Sequence, residues 1–137
     1  MASSITESIY KSFIRHGRQM VVVKCAVVAH TTGAVTTEAL SLGNTIEGML
    51  LTKFAVIPGA TGPTDSSDLY VYDALGIDLL AGQGVDKIMN ATKTQGVPSI
   101  DGVLAPQPVV DAISIAVSNN SVNGATFDIY LYFVEQA

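Results

Sequence analysis

Residues 58–84 read PGATGPTDSSDLYVYDALGIDLLAGQG. Turn-forming residues fill Pro58 to Ser67, and an alternating run, Asp68-Leu69-Tyr70-Val71-Tyr72-Asp73, follows. Ala74-Leu75-Gly76 makes a tight turn, Ile77-Asp78-Leu79-Leu80 returns, and Gly82 and Gly84 form a Gly-x-Gly exit. Alternation of period two, bounded by Gly, Pro and Asp, is the pattern of a β-hairpin. No arrangement of catalytic groups accompanies it.

The same period continues on both sides. Upstream, Gln19 to Ala29 is β-branched and apolar on nearly both faces, with Lys24 its one charge, as in the middle of a sandwich or under a subunit contact. His30-Thr31-Thr32-Gly33 is a turn, and Ala34 to Leu42 alternates as a second strand that can pair with the first. Ile46 to Ile57 reads as a long strand with Gly48 as a bulge or close approach. Downstream, Val85, Ile88 and Met89 fit a short helix or turn, and Gln95 to Pro108 is loop-like, with Pro98, Pro106 and Pro108 barred from central ladder positions. Val109 to Ser118 alternates, and Asn123-Gly124 signals a hairpin. In the last strand, Ala125 to Val134, Thr126, Asp128, Tyr130 and Tyr132 share one face and Phe127, Ile129, Leu131 and Phe133 the other. Residues 1–17 place Ile5, Ile9 and Phe13 at helical spacing and end at Gly17, so they read as an arm or short helix, with an extended segment packed on a neighbour as the alternative.

The predicted fold is therefore all-β: a single β-sandwich or jelly roll of about seven or eight antiparallel strands behind an N-terminal arm or short helix. The boundaries are an arm over 1–18 and a sandwich domain over 19–137. A chain of 137 residues that is 48% apolar and 14% charged is neither disordered nor too short to bury a core. Its apolar runs fall far short of the roughly 20 residues of a spanning helix, and the polar N-terminus does not resemble a signal peptide. The net charge of −5 is uneven. Lys11, Arg15, Arg18 and Lys24 face Glu7 alone in the first 24 residues, whereas three lysines face eleven acids in the rest. An arm and a body with different electrostatic partners follow. A nucleic-acid partner does not, because phosphate binding requires a basic surface.

Chemistry is hard to place on these residues. The glycines at 82 and 84 lack the Lys-Ser/Thr of a phosphate loop, and neither His16 nor His30 has a zinc-helix partner. No serine sits in a G-x-S-x-G elbow. Cys25, the one cysteine, lies in an apolar run and reads as a small buried hydrophobe. Asp65, Asp68, Asp73 and Asp78 cluster, but their spacing matches no calcium loop; Asp65 fits an Asx turn and Asp73 the closure of the hairpin. The pairs Tyr70/Tyr72 and Tyr130/Tyr132 each share a strand face, suited to cross-strand packing, a subunit contact or a sugar platform.

The run PTDSSDLYVYDALGIDLLAGQG resembles a pattern of small β-sandwich structural proteins of tailed-bacteriophage virions. The matching residues are Pro63, Thr64, Asp65, Tyr70, Asp73, Gly76, Asp78, Leu80, Gly82 and Gly84, with Asp128 to Tyr132 similar to the C-terminal strand. The longer, more basic segment Met1 to Arg18 and the Gly96 to Pro108 loop depart from it. The resemblance implies a non-enzymatic capsid decoration (cement) protein, without metal or cofactor. It would be made in the host cytoplasm, sit on the capsid surface and form a homo-oligomer, a trimer for preference, that clamps neighbouring major capsid subunits. It implies no nucleic acid or membrane as partner. Contacts fall to Lys11, Arg15 and Arg18 of the arm and to Tyr70, Tyr72, Tyr130 and Tyr132. A tail or head–tail connector component and a carbohydrate-binding module are the alternatives.

Overall fold

A computed structural model describes residues 2–136. Among the described residues, eleven strands alternate with turns: β1 (Ser4–Arg15), β2 (Arg18–Val28), β3 (Glu38–Ala39), β4 (Met49–Pro58), β5 (Asp68–Tyr72), β6 (Thr94–Gly96), β7 (Ser99–Ile100), β8 (Val103–Leu104), β9 (Gln107–Pro108), β10 (Ser114–Ser118) and β11 (Thr126–Glu135). One helical turn, α1 (Gly43–Ile46), precedes β4. The large sheet runs β1-β2-β11-β4-β6, with β9 also paired to β4; the small sheet runs β3-β10-β5; β7 and β8 pair alone. All pairings are antiparallel.

The two sheets form a sandwich because each presents an apolar inner face. Val21, Val23, Cys25 and Val27 of β2, Phe54 and Val56 of β4, and Phe127, Ile129, Leu131 and Phe133 of β11 meet Leu69, Val71 and Ile115 of the small sheet in one buried cluster. Strand alternation puts every second residue there. On β11 the division follows the sequence expectation: the four inner residues are buried, and Thr126, Asp128, Tyr130 and Tyr132 are half-exposed.

Several sequence expectations are corrected. The short helix over residues 1–17 is instead β1, paired with β2 from Ser4↔Val28 to Arg15↔Arg18. A step of four is even, so Ile5 and Ile9 share a strand face, opposite Val27 and Val23, as readily as a helix face; a bulge at Tyr10 then puts Phe13 on the other face, opposite Met20. The connecting His16-Gly17 turn has positive φ at both residues, 55° and 74°, the two-residue geometry whose twist matches that of the flanking strands. The strand expected over Ala34 to Leu42 shrinks to β3, which pairs with β10 in the other sheet rather than with β2. Ile77 to Leu80 forms no returning strand: a single bridge, Tyr72↔Asp78, is followed by turns. The helix option at 85–89 is replaced by turns and by the bridge Ser67↔Ile88. Asn123-Gly124 does turn, but it carries the chain from the small sheet to the large one, so β10 and β11 are not a hairpin. The count of eleven strands exceeds seven or eight because two- and three-residue ladders such as β6 to β9 form in the proline-rich loop. So short a ladder carries no periodicity.

Two aspartates of the stretch 58–84, Asp73 and Asp78, are turn makers. Asp73 accepts backbone N–H bonds from Leu75 and Ile77, both 2.9 Å, and closes the turn as expected. Asp78 accepts from Val71, Leu80 and Gly82. Asp65 makes no local Asx turn; its carboxylate accepts the Asn90 N–H at 2.7 Å and ties two distant loops.

Cys25 faces the core opposite Glu7 of β1 and Ile129 of β11. Burial, then the Glu7 charge, push its thiol from 9.0 up to about 12. Between those values the unfolded chain ionises its thiol and the folded chain does not, so the raised pKa stabilises below pH 9 and that contribution is lost progressively as pH rises above it. Ellman's reagent at pH 8 should find no reactive thiol in the native protein and one per chain in denaturant. Unfolding free energy should fall more steeply above pH 9 for the wild type than for Cys25→Ala.

Candidate interaction surface

Polar and aromatic groups outside the core gather on the outward face of the large sheet. Tyr130 and Tyr132 project from β11, flanked by Lys24 of β2 and Lys53 of β4, their ladder partners. Lys24 Nζ lies 3.8 Å from Asp128 Oδ2. The Lys53 ammonium lies 5.1 Å from the Tyr132 ring centre, a cation–π distance. Tyr10, at the β1 bulge, meets Tyr130 edge to face, with ring centres 5.3 Å apart. Alternation from Ser8 puts Tyr10 on this side, and the bulge brings Lys11 to the same side. Two shallow crevices open beside these rings. One, of about 250 Å³, lies between Lys53, Lys93, Gln95 and Tyr132; the other, of about 150 Å³, lies between Tyr10, Ala55, Ile57 and Tyr130.

The β1–β2 hairpin extends this surface. Pairing of β2 with β11 ends at Met20↔Val134, so the pairs Ile14↔Gln19 and Arg15↔Arg18, and the turn between them, run past the end of β11. Here both faces of the ribbon are open, and Ile14 is 74% exposed. From Ser8 to Val23 the chain contains no acid but has Lys11, Arg15 and Arg18. Long, exposed edge strands template unwanted pairing unless charge and bulges interrupt them, and β1 has both.

Five of the seven contact residues expected from sequence therefore share one sheet: Lys11, Arg15 and Arg18 on the hairpin, and Tyr130 and Tyr132 on β11. Tyr70 and Tyr72 do not join them. They stack on each other on β5 of the small sheet, ring centres 5.6 Å apart and planes 6° from parallel. Sequence reasoning missed Tyr10, Lys53 and Lys93. Tyr10 lies in the segment read as an arm or short helix, a bulge near Thr52 shifts the alternation that would have assigned Lys53 to this face, and Lys93 precedes a strand of only three residues.

The other layer is acidic. Asp65, Asp68, Asp73, Asp78 and Asp86 surround β5, and Asp111 lies near the Asp73 turn. Six of the seven Lys and Arg residues belong to the large sheet or line its crevices; the seventh, Lys87, lies in the turns beside β5. Among the described residues, no group of three or more His, Cys, Asp and Glu side chains is placed to hold a metal ion. His16 occupies the hairpin turn, and His30 Nδ1 lies 3.0 Å from the Thr32 hydroxyl and accepts from the Thr32 N–H at a strand end.

No protein-family model matches this sequence, and no curated protein does. Among solved structures, a chain of the "Cyanophage Pam1 capsid asymmetric unit" has the same fold, with a TM-score of 0.52 at 16% identity over 94% of each chain.

Proposed function

We propose that this chain is a non-enzymatic structural protein of a phage virion, a capsid decoration (cement) protein. It forms a homo-oligomer, a trimer, on the capsid surface and clamps neighbouring major capsid subunits. It is made in the host cytoplasm and joins the particle there. The observation that carries the proposal is the basic, tyrosine-rich outer face of the large sheet, with the hairpin running past its end. A face of Lys11, Lys53, Lys93, Tyr130 and Tyr132 suits an acidic protein surface: aromatic residues are enriched in interface cores, and complementary charge steers and orients docking. Residues 1–18 act as the arm of this clamp, with Lys11 on the capsid-facing side and Arg15 and Arg18 reaching an adjacent copy of this chain in the oligomer. Tyr70 and Tyr72, on the opposite layer, face a subunit contact there. The fold shared with a chain of a phage capsid asymmetric unit supports the virion assignment.

The triple variant Lys11→Glu, Lys53→Glu, Lys93→Glu tests it. All three positions lie outside the core, so the fold should survive, as checked by circular dichroism. Wild-type protein should co-sediment with shells of the parent phage's major capsid protein in proportion to their subunits. The variant should bind at least about tenfold more weakly, a change of about 1.4 kcal/mol. Equal binding by a folded variant refutes the assignment of this face. Occupancy at a single vertex would instead make the protein a connector or tail component.

A further inference from the structure

The small-sheet side carries an apolar crevice that the proposed capsid-facing surface does not use. It lies between the Asp73–Gly76 turn and the segment before β10, with a volume of about 290 Å³, and is lined by Asp73, Ala74, Leu75, Val110 and Asp111. Leu75 is 83% exposed and Val110 is 75% exposed. Two large aliphatic side chains are thus held open to water between two carboxylates. Asp73 is fixed there by the backbone bonds it accepts from Leu75 and Ile77, so the turn is a rigid wall. Exposed apolar surface rimmed by charge marks a contact site.

The matching shape lies on the same chain. At the tip of the β1–β2 hairpin, Ile14 stands open, next in sequence to Arg15, and the pair Arg15↔Arg18 completes a cationic end. We propose that the hairpin tip of one copy seats in the Leu75–Val110 crevice of a second copy. Ile14 enters between Leu75 and Val110, and Arg15 and Arg18 meet Asp73 and Asp111. The occupant is a second copy because the same chain supplies an acid-rimmed apolar hole and an aliphatic knob flanked by guanidiniums. The planar fork of arginine suits carboxylates. The knob ends the large sheet's β1–β2 hairpin and the hole lies in loops beside the small sheet, so the contact is heterologous, and its repetition closes a ring or runs on as a filament. This contact rests on the oligomer proposed above and supplies its geometry.

Mixed cross-linking tests it. Cys25 is buried, so introduced thiols report alone. Chains carrying Ile14→Cys, mixed with chains carrying Val110→Cys and oxidised, should give disulfide-linked heterodimers, with neither variant cross-linking to itself at a comparable rate. Wild-type protein should elute with a discrete oligomeric mass by light scattering, and Val110→Glu should reduce it to a monomer. The proposal is overturned by a monomeric wild type, by a Val110→Glu oligomer, or by self-cross-linking of either variant as strong as the mixed product. Shell binding separates this contact from the function itself. Cross-linking without shell binding leaves the contact standing and removes the decoration role; shell binding without cross-linking does the reverse.

Discussion

Gly84→Ala is expected to lower the unfolding free energy by about 3 kcal/mol, the upper range of overpacking penalties. A Cβ on Gly84 would lie 2.1 Å from the Leu69 carbonyl oxygen and 3.0 Å from Leu80 Cδ1. The first of these is backbone and cannot rotate away. Relief requires the 82–88 segment to lift from β5, which also stretches the Leu69 N–H to Gly84 carbonyl bond of 2.9 Å and the Asp86 N–H to Asp68 bond of 2.9 Å. Gly82→Ala is the control. Gly82 has φ +79°, but a Cβ there would meet nothing within 4 Å, so only the left-handed backbone penalty of about 1–2 kcal/mol applies. Urea unfolding followed by circular dichroism should rank wild type above Gly82→Ala, and Gly82→Ala above Gly84→Ala. Equal midpoints for the two variants would mean that the close approach yields without cost.

Asp68→Ala is expected to cost a similar amount, about 3 kcal/mol, from the loss of hydrogen bonds to a charged acceptor. Asp68 is 6% exposed. One carboxylate oxygen accepts the Asp86 N–H at 2.9 Å, and the other accepts from the Ser118 hydroxyl at 3.2 Å and from the Asn119 side-chain amide. This carboxylate therefore joins three pieces: the start of β5, the end of β10 and the turn after Gly84. Removal by alanine leaves the Asp86 N–H without its partner. The side chains of Ser118 and Asn119 can turn to water, and this keeps the cost below the sum of three charged bonds. Asp68→Asn retains an acceptor oxygen and should lose about half as much. For a domain of this size, 3 kcal/mol corresponds to a melting temperature lower by roughly 10 °C. A shift within about 2 °C for Asp68→Ala would show that the joint is solvated rather than structural.

Both predictions fall in residues 58–84, whose alternation and turn residues already indicated a β protein. There the strand Asp68 to Tyr72 and the turn-closing role of Asp73 were legible, because each depends on neighbours within a few positions. The second half of the supposed hairpin was not. Ile77 to Leu80 has strand-like composition, yet Asp78 binds three backbone N–H groups and bends the chain into turns. Two of those donors, Leu80 and Gly82, are local, but the third, the Val71 N–H, lies within reach only once β5 is in place. The contact surface divides in the same way. Tyr130 and Tyr132 were assigned to one face by simple alternation along β11. Tyr10 was not, because Ile5, Ile9 and Phe13 at steps of four read equally well as a helix; Lys53 was not, because a bulge near Thr52 resets the phase along β4.

By itself the sequence determined an all-β chain with one apolar face on its last strand and a nearly two-faced apolar strand at Gln19 to Ala29, a buried, inert position for Cys25, and a basic N-terminus against an acidic body. These follow from side-chain type and a period of two, which are local properties. Only the tertiary structure decided that the N-terminal segment is a strand, that β2 lies between β1 and β11, and that the cations of β1, β2 and β4 share one face with three tyrosines while the acids surround β5. Strand partners are chosen among segments more than a hundred residues apart, as in Met20 against Val134. That choice rests on which inner faces together exclude water, and no single segment carries that information.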